Sequence, residues 1–172
     1  SSLVTEHILS MLEEENIKAT FFCVGKNVIK KPVLYKKILK NGHSVGNHSM
    51  THPNGWKVDK VFYQNDINMA TGNINSDLFR PPFGKLNIGS LKSLKKKFQI
   101  IMWDVVSGDF DLKLNSNKVI NNVVSSARNG SIIVMHDNDK FKSLTISSLL
   151  PIIKALKEKG FCFRPIPFNP LV

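Results

Sequence analysis

"NSNKVINNVVSSARNGSIIVMHD", Asn115–Asp137, holds the pattern that decides the fold: a helical stretch closed by Gly130, then "SIIVMHD", a run too apolar for a surface strand. The same sequence of textures recurs on both sides of it. Upstream, "LVTEHILSMLEEENI" carries apolar residues at helical spacing, and "KATFFCVG" then reads as a buried strand ending at Gly25. A helix over about Pro32–Asn41, closed by Gly42, precedes the short strand "HSVGNH". "DKVFYQNDINMATGNI" is helical in pattern and leads to the extended "DLFRPPFG", while "IGSLKSLKKK" leads into "FQIIMWDVV". Downstream, "TISSLLPIIKALKEKG" leads into "FCFRPI", read as the closing strand, with Pro151 marking a first turn or a kink. Strand follows helix about six times, with glycine or asparagine at several helix ends. That rhythm predicts a mainly parallel sheet with helices outside, as an open α/β sheet or a (β/α) barrel.

The length of 172 residues suits one domain with a sizeable core, and 42% apolar with 22% charged residues is globular composition. No apolar run approaches the roughly 18 residues of a membrane span, and no signal pattern opens the chain. The chain begins at Ser1 without a methionine, so the true N-terminus is expected to lie upstream. Cys23 and Cys162 stand far apart in apolar runs and read as buried free thiols, with a disulfide as the alternative. The net charge of +11 is largely helical lysine, as in "KKPVLYKKILK". Solvated helix faces account for it, or attraction to a polyanionic polymer or envelope surface. Nucleic acid is not expected, because neither interleaved aromatics nor a recognition element is present.

In folds of this class chemistry collects where strands end. Polar clusters fall there: Gly25, then His48 and His52, Arg80, Asp104 with Asp109, and His136 with Asp137. His48 and His52 are four apart, so both imidazoles can share one side of a turn, and Pro53 discourages a longer helix. They are either half of a metal site or an ordinary turn, with Ser49 or Thr51 holding a ring or a loop amide. Arg80, between a strand and the stiff "PPFG" loop, either closes a salt bridge or orients a carboxylate. Asp104 and Asp109 either cap loops, orient a histidine or pair with Arg80. His136, at the end of an apolar strand, suits acid–base work or sits as a satisfied core histidine.

In order, "ATFFCVG", "HSMTHP", "RPPFG", "WDVVSGDF" and "IIVMHD" resemble the segments of the polysaccharide deacetylase family, the carbohydrate esterases of family 4 that share the NodB homology domain. The resemblance spans nearly the whole chain. It implies one such domain over residues 1–172, folded as a distorted (β/α) barrel. It also implies metal-dependent hydrolysis of N- or O-acetyl groups on a carbohydrate polymer or oligosaccharide of chitooligosaccharide, peptidoglycan or xylan type. Matched residue by residue, His48 and His52 are metal ligands steadied by Ser49, with zinc the first choice and cobalt or nickel next. Arg80 is the arginine that positions the catalytic aspartate, and the Phe83 amide helps hold the oxyanion. Asp109 tunes the acid His136, and Ile133 and Met135 replace leucines that shape the acetate pocket. The family also implies a cell-envelope or secreted location.

Two departures stand beside these matches. The family's first motif, Thr-Phe-Asp-Asp-Gly-Pro, carries the catalytic base and the third ligand, an aspartate, on the first strand. No such segment occurs from Ser1 onward, so the first strand is expected to be missing from this chain, the domain N-terminally incomplete and the third ligand upstream. This fragment would then be weakly active or inactive. Val106 and Phe110 also stand where the family often has Asp and Trp. Two alternatives remain: a hydrolase of a non-peptide C–N bond in a small molecule, or a glycan-binding relative without catalysis.

Overall fold

The structure, a computed structural model, describes residues 2–171. The chain opens with α1 (Ser2–Glu14), whose Val4, Ile8, Leu9 and Leu12 recur every three or four residues and are buried. Then come β1 (Thr20–Cys23), α2 (Gly25–Lys30), α3 (Pro32–Lys40) and β2 (Ser44–Asn47). α4 (Lys60–Thr71), β3 (Leu78–Phe79), α5 (Leu91–Leu94) and β4 (Gln99–Ile100) follow. The last elements are β5 (Val105–Val106), α6 (Ser116–Ser126), β6 (Ile133–Val134) and α7 (Lys142–Glu158). These elements form two compact units: β1 to β4 with their helices and the residues from Pro165 on, and α1 with residues Trp103–Arg164.

In the β1–β4 unit the strands run parallel in the order β1-β2-β3-β4, with Thr20 opposite Ser44, Cys23 opposite Asn47 and Leu78 opposite Gln99. Parallel neighbours need crossovers, which α2 with α3, α4 and α5 supply. Pro32 at the first turn of α3 already has the helical φ, and the Asp59 carboxylate caps α4 by accepting from Phe62 N at 2.9 Å. Tyr63 and Ile67 of α4 pack on Phe79, Leu94 and Phe98, all buried. Burying side chains of this size contributes about 1.5–3 kcal/mol each. All four residues of β2 are buried, whereas those of β1 are half-buried, because β1 pairs with β2 alone among the described strands. The expectation of a fully buried "KATFFCVG" is corrected accordingly.

In the other unit β5 and β6 pair in parallel, Val105 opposite Ile133. Val119 and Val123 of α6 and Ile152 and Leu156 of α7 close a core over Val105. "FQIIMWDVV" is therefore not one strand. Gln99–Ile100 bonds to β3, and after a non-strand turn Val105–Val106 bonds to β6. "FCFRPI" forms no strand either: Pro165 and Pro167 have no N–H to offer a ladder, and the Ile166 N–H goes to Thr20 Oγ1 at 2.8 Å. Cys162 is consequently exposed and Cys23 half-buried, its Sγ donating to Phe21 O at 3.5 Å, so the expectation of two buried thiols is corrected. Pro151 lies in the middle of α7 on its exposed side, not in its first turn. Among the described residues no helix is long and apolar enough to cross a membrane.

Candidate functional site

The histidine loop begins where β2 ends. Asn47, fully buried, accepts from Ser49 N at 2.7 Å and donates its amide to Ile67 O on α4 at 3.1 Å. Ser49 Oγ accepts from His52 N at 3.0 Å, the loop-amide role anticipated for it. Asp66, on the buried face of α4, accepts from Met50 N at 2.9 Å, Thr51 N at 3.1 Å and Thr51 Oγ1 at 2.6 Å. These bonds hold Ser49 at φ 64° and His52 at φ 63°, left-handed conformations that cost an L-residue roughly 1–2 kcal/mol each.

That backbone turns both rings onto one point. His48 Nδ1 lies 2.7 Å from Arg80 O, and His48 Nε2 lies 3.1 Å from His52 Nε2. A carbonyl only accepts, so His48 carries its proton on Nδ1 and points a lone pair from Nε2 toward His52. Two nitrogen ligands at about 2.0–2.1 Å in a tetrahedral site stand about 3.3 Å apart, so the pair fits a divalent metal. Among the described residues no group of three His, Cys, Asp or Glu side chains joins at one point, and the aspartate expected before Ser1 lies outside the described residues.

Arg80 leaves β3 and is nearly buried. Its Nε donates to Ile101 O at 3.2 Å, an Nη donates to Met102 O at 3.3 Å, and the guanidinium sits 4.1 Å over the Phe22 ring. Burial lowers its pKa to about 10, which leaves it cationic at neutral pH. The "PPFG" turn follows, with Gly84 at φ 67° and Phe83 at φ 58°. The Phe83 ring packs edge-on against His52 at 4.6 Å.

The other unit holds an acid–base pair. Asp109, fully buried in the turn that follows β5, accepts from His136 Nδ1 at 2.8 Å and His136 N at 2.7 Å. Ser107 Oγ donates to the same carboxylate at 2.9 Å, and the Thr145 hydroxyl lies 2.9 Å from Oδ2 and 3.0 Å from His136 O. Burial alone raises the Asp109 carboxyl, and the donors from His136 and Thr145 more than offset it, so it sits below the ordinary carboxylate value. With Nδ1 turned to Asp109, His136 presents Nε2 on a half-exposed ring that meets the edge of Phe110 at 5.1 Å. Asp104 makes its own contacts within the same unit. It bonds Ser131 Oγ at 2.9 Å and Ile132 N at 2.7 Å, with Arg128 at 3.5 Å. Asp137 accepts from Thr5 Oγ1 at 2.8 Å. Ile133 and Met135 pack against the apolar core of this unit.

Sequence reading missed Asp66, Asn47, Ser107 and Thr145. Asp66 was within reach: Tyr63, Asp66, Ile67 and Ala70 share the buried face of α4, and a carboxylate there must find donors. The other three were not, because their partners are distant in sequence or set by a turn.

A profile of the polysaccharide deacetylase family matches residues 1–98. The chain belongs to the polysaccharide deacetylase family. Two peptidoglycan-N-acetylglucosamine deacetylases of Bacillus cereus are similar to it. One is 33% identical over 95% of this chain and 62% of its own length, the other 31% identical over 92% and 78%. This member of the family thus spans less than two thirds of the first relative. A solved structure, the Bc1960 peptidoglycan N-acetylglucosamine deacetylase with a bound naphthalenyl N-hydroxybenzamide, superposes with a TM-score of 0.90. It is 33% identical, over 95% of this chain and 79% of that one. The fold class expected from the segments, α/β of the NodB barrel type, is the one these likenesses show.

Proposed function

We propose that this polysaccharide deacetylase is a metal-dependent hydrolase that removes the acetyl group from N-acetylglucosamine in peptidoglycan, at the cell envelope. The observation that carries the reading is the convergence of His48 Nε2 and His52 Nε2 to 3.1 Å, with His48 Nδ1 tied to Arg80 O. The names of the two Bacillus cereus relatives favour peptidoglycan over chitooligosaccharide or xylan. Zinc suits two imidazole ligands best, and cobalt or nickel are alternatives. When bound, such an ion polarises the acetyl carbonyl and makes a neutral-pH nucleophile of water.

The chain's own residues take the remaining roles. His48 and His52 hold the metal, and Arg80 keeps His48 oriented through its carbonyl while its guanidinium positions a carboxylate. The Phe83 N–H donates to the oxygen that becomes negative as water adds to the acetyl carbon. His136, oriented by Asp109, gives a proton to the sugar nitrogen as its bond to the acetyl carbon breaks, releasing acetate and an amine. Ile133 and Met135 line the space for the acetyl methyl. No described residue is assigned the carboxylate base.

The test is acetate release by the full-length, zinc-loaded protein from peptidoglycan fragments, with chitooligosaccharides, acetylated xylan and small cyclic amides as comparisons. Release from peptidoglycan that a chelator stops and zinc restores is expected. A folded, metal-loaded protein that releases acetate from none of the glycans sinks the reading.

A further inference from the structure

The two loops that carry the histidines and Phe83 continue, past those residues, into the walls of an open concavity of about 320 Å³. Gly55, Trp56, Leu86, Asn87, Ile88 and Gly89 line it, and none of the six is used by the chemistry above. Trp56 is 68% exposed and Ile88 81%, the two largest apolar surfaces offered there. A lone exposed residue of either type needs no account, but two of them lining one concavity do.

The walls are rigid. Gly55 N donates to Lys85 O at 3.1 Å, and Asn87 Nδ2 donates to Val58 O at 3.0 Å, so the loops are tied to each other on either side of Trp56. A side chain at Gly55 would collide with Lys85 O, so only glycine admits this close approach. Trp56 N donates to Asn54 Oδ1 at 3.0 Å, which fixes the indole's backbone. The concavity is shallow and open to solvent, a surface on which one face of a ligand can rest rather than an enclosing pocket.

Its chemistry is apolar faces with a cationic rim. Lys85 Nζ stands 4.9 Å from the Trp56 ring, which stays largely open to solvent. The aliphatic stem of Lys60 lies 3.6 Å from where a side chain on Gly89 would begin, on the other wall. No lining residue is acidic. A pyranose ring has an apolar C–H face that covers an indole and a polar rim that stays wet. A ring bearing a carboxylate would in addition meet these lysines.

We propose that the Trp56–Ile88 concavity is a saccharide subsite for a carboxylate-bearing sugar of the glycan strand, next in line to the sugar held at His48 and His52. This rests on the deacetylase reading for the ligand being a glycan. It adds a source of substrate preference: strands with alternate acidic sugars, as in peptidoglycan, over neutral chitooligosaccharides.

The experiment titrates the full-length protein with a soluble N-acetylglucosamine–N-acetylmuramic acid oligosaccharide, its carboxyl-reduced counterpart, and a chitooligosaccharide of equal length. The indole N–H signal of Trp56 is followed by NMR, with Trp56→Phe separating it from Trp103. The acidic oligosaccharide is expected to move that signal and to bind about 2–5-fold more tightly than the reduced one, the scale of one exposed charge contact. Lys85→Met should erase that difference, and Trp56→Ala should weaken every saccharide about tenfold while zinc stoichiometry stays unchanged. A Trp56 signal that no saccharide moves, or that moves only with protein concentration, overturns the proposal in favour of a self-association surface. Acetate release with unaltered KM in Trp56→Ala also overturns it and leaves the deacetylase reading intact. Binding at Trp56 without acetate release does the reverse.

Discussion

In the proposed site His48 would act through both of its nitrogens: Nδ1 is tied to Arg80 O, which leaves the Nε2 lone pair for a ligand bond. If these two histidines are ligands, as proposed, neither can be spared. His48→Ala should therefore lose bound zinc and activity together, read by metal analysis after desalting. Retained stoichiometric zinc would remove His48 from the site. His136 should behave differently, since its Nδ1 is held by Asp109 and the role proposed for it is proton donation. We predict that His136→Ala keeps its metal while turnover falls about 10²–10⁴-fold, the usual acid–base contribution. Unchanged single-turnover rates would contradict this. Asp109 adds a pH signature. Its folded carboxyl lies below the ordinary value of about 3.9, so the unfolded chain takes up this proton first as pH falls. The stability it contributes is complete above about pH 5 and is lost as pH drops through the folded value. Asp109→Asn should thus melt lower than the parent at pH 7, with the gap narrowing toward pH 3. A gap that stays constant across that range would count against the ionised carboxylate.

At the scale of elements, the histidine loop owes its form to α4. A single carboxylate, Asp66, satisfies two amides and a hydroxyl of the segment between His48 and His52. Without it the segment between the left-handed Ser49 and His52 loses the acceptor of two amides and a hydroxyl, although α4 itself keeps its Asp59 cap. Asp66→Asn offers one acceptor oxygen where two were used. Zinc affinity should fall about 10–100-fold, the usual size of an outer-shell change, while far-UV circular dichroism stays near that of the parent. Equal zinc affinity by competition with a chromophoric chelator would reduce Asp66 to an ordinary buried acid. The same scale explains where strand reading failed. "FQIIMWDVV" looks continuous because its residues are uniformly apolar, but its two ends bond to different strands, β3 and β6. "FCFRPI" looks like a strand until its prolines are counted as missing donors.

For the molecule as a whole, 24 basic against 13 acidic residues leave a charge of +11. Long-range attraction to an anionic strand is screened as salt shortens the Debye length from about 10 Å at 0.1 M to about 3 Å at 1 M. The specificity constant on acidic glycan should therefore fall between about 0.05 and 0.5 M salt, and that on neutral chitooligosaccharide should hardly change. Parallel salt curves for the two would assign the lysines to solvated faces alone. Much of the fold was legible in one dimension, because helix periodicity, glycine stops and apolar runs are local properties that survive into the folded chain. The positions of His48, His52, Arg80, Asp109 and His136 just past strands were legible for the same reason. What those side chains touch was not. The 3.1 Å approach of the two imidazoles, the hold of Asp66 on their loop and the Lys85–Trp56 wall each join residues that backbone geometry alone brings together. Order along the chain determined the elements and the residue types at their ends. Only the tertiary structure decided which of those groups became partners, because a hydrogen bond is formed by distance and angle, not by sequence separation.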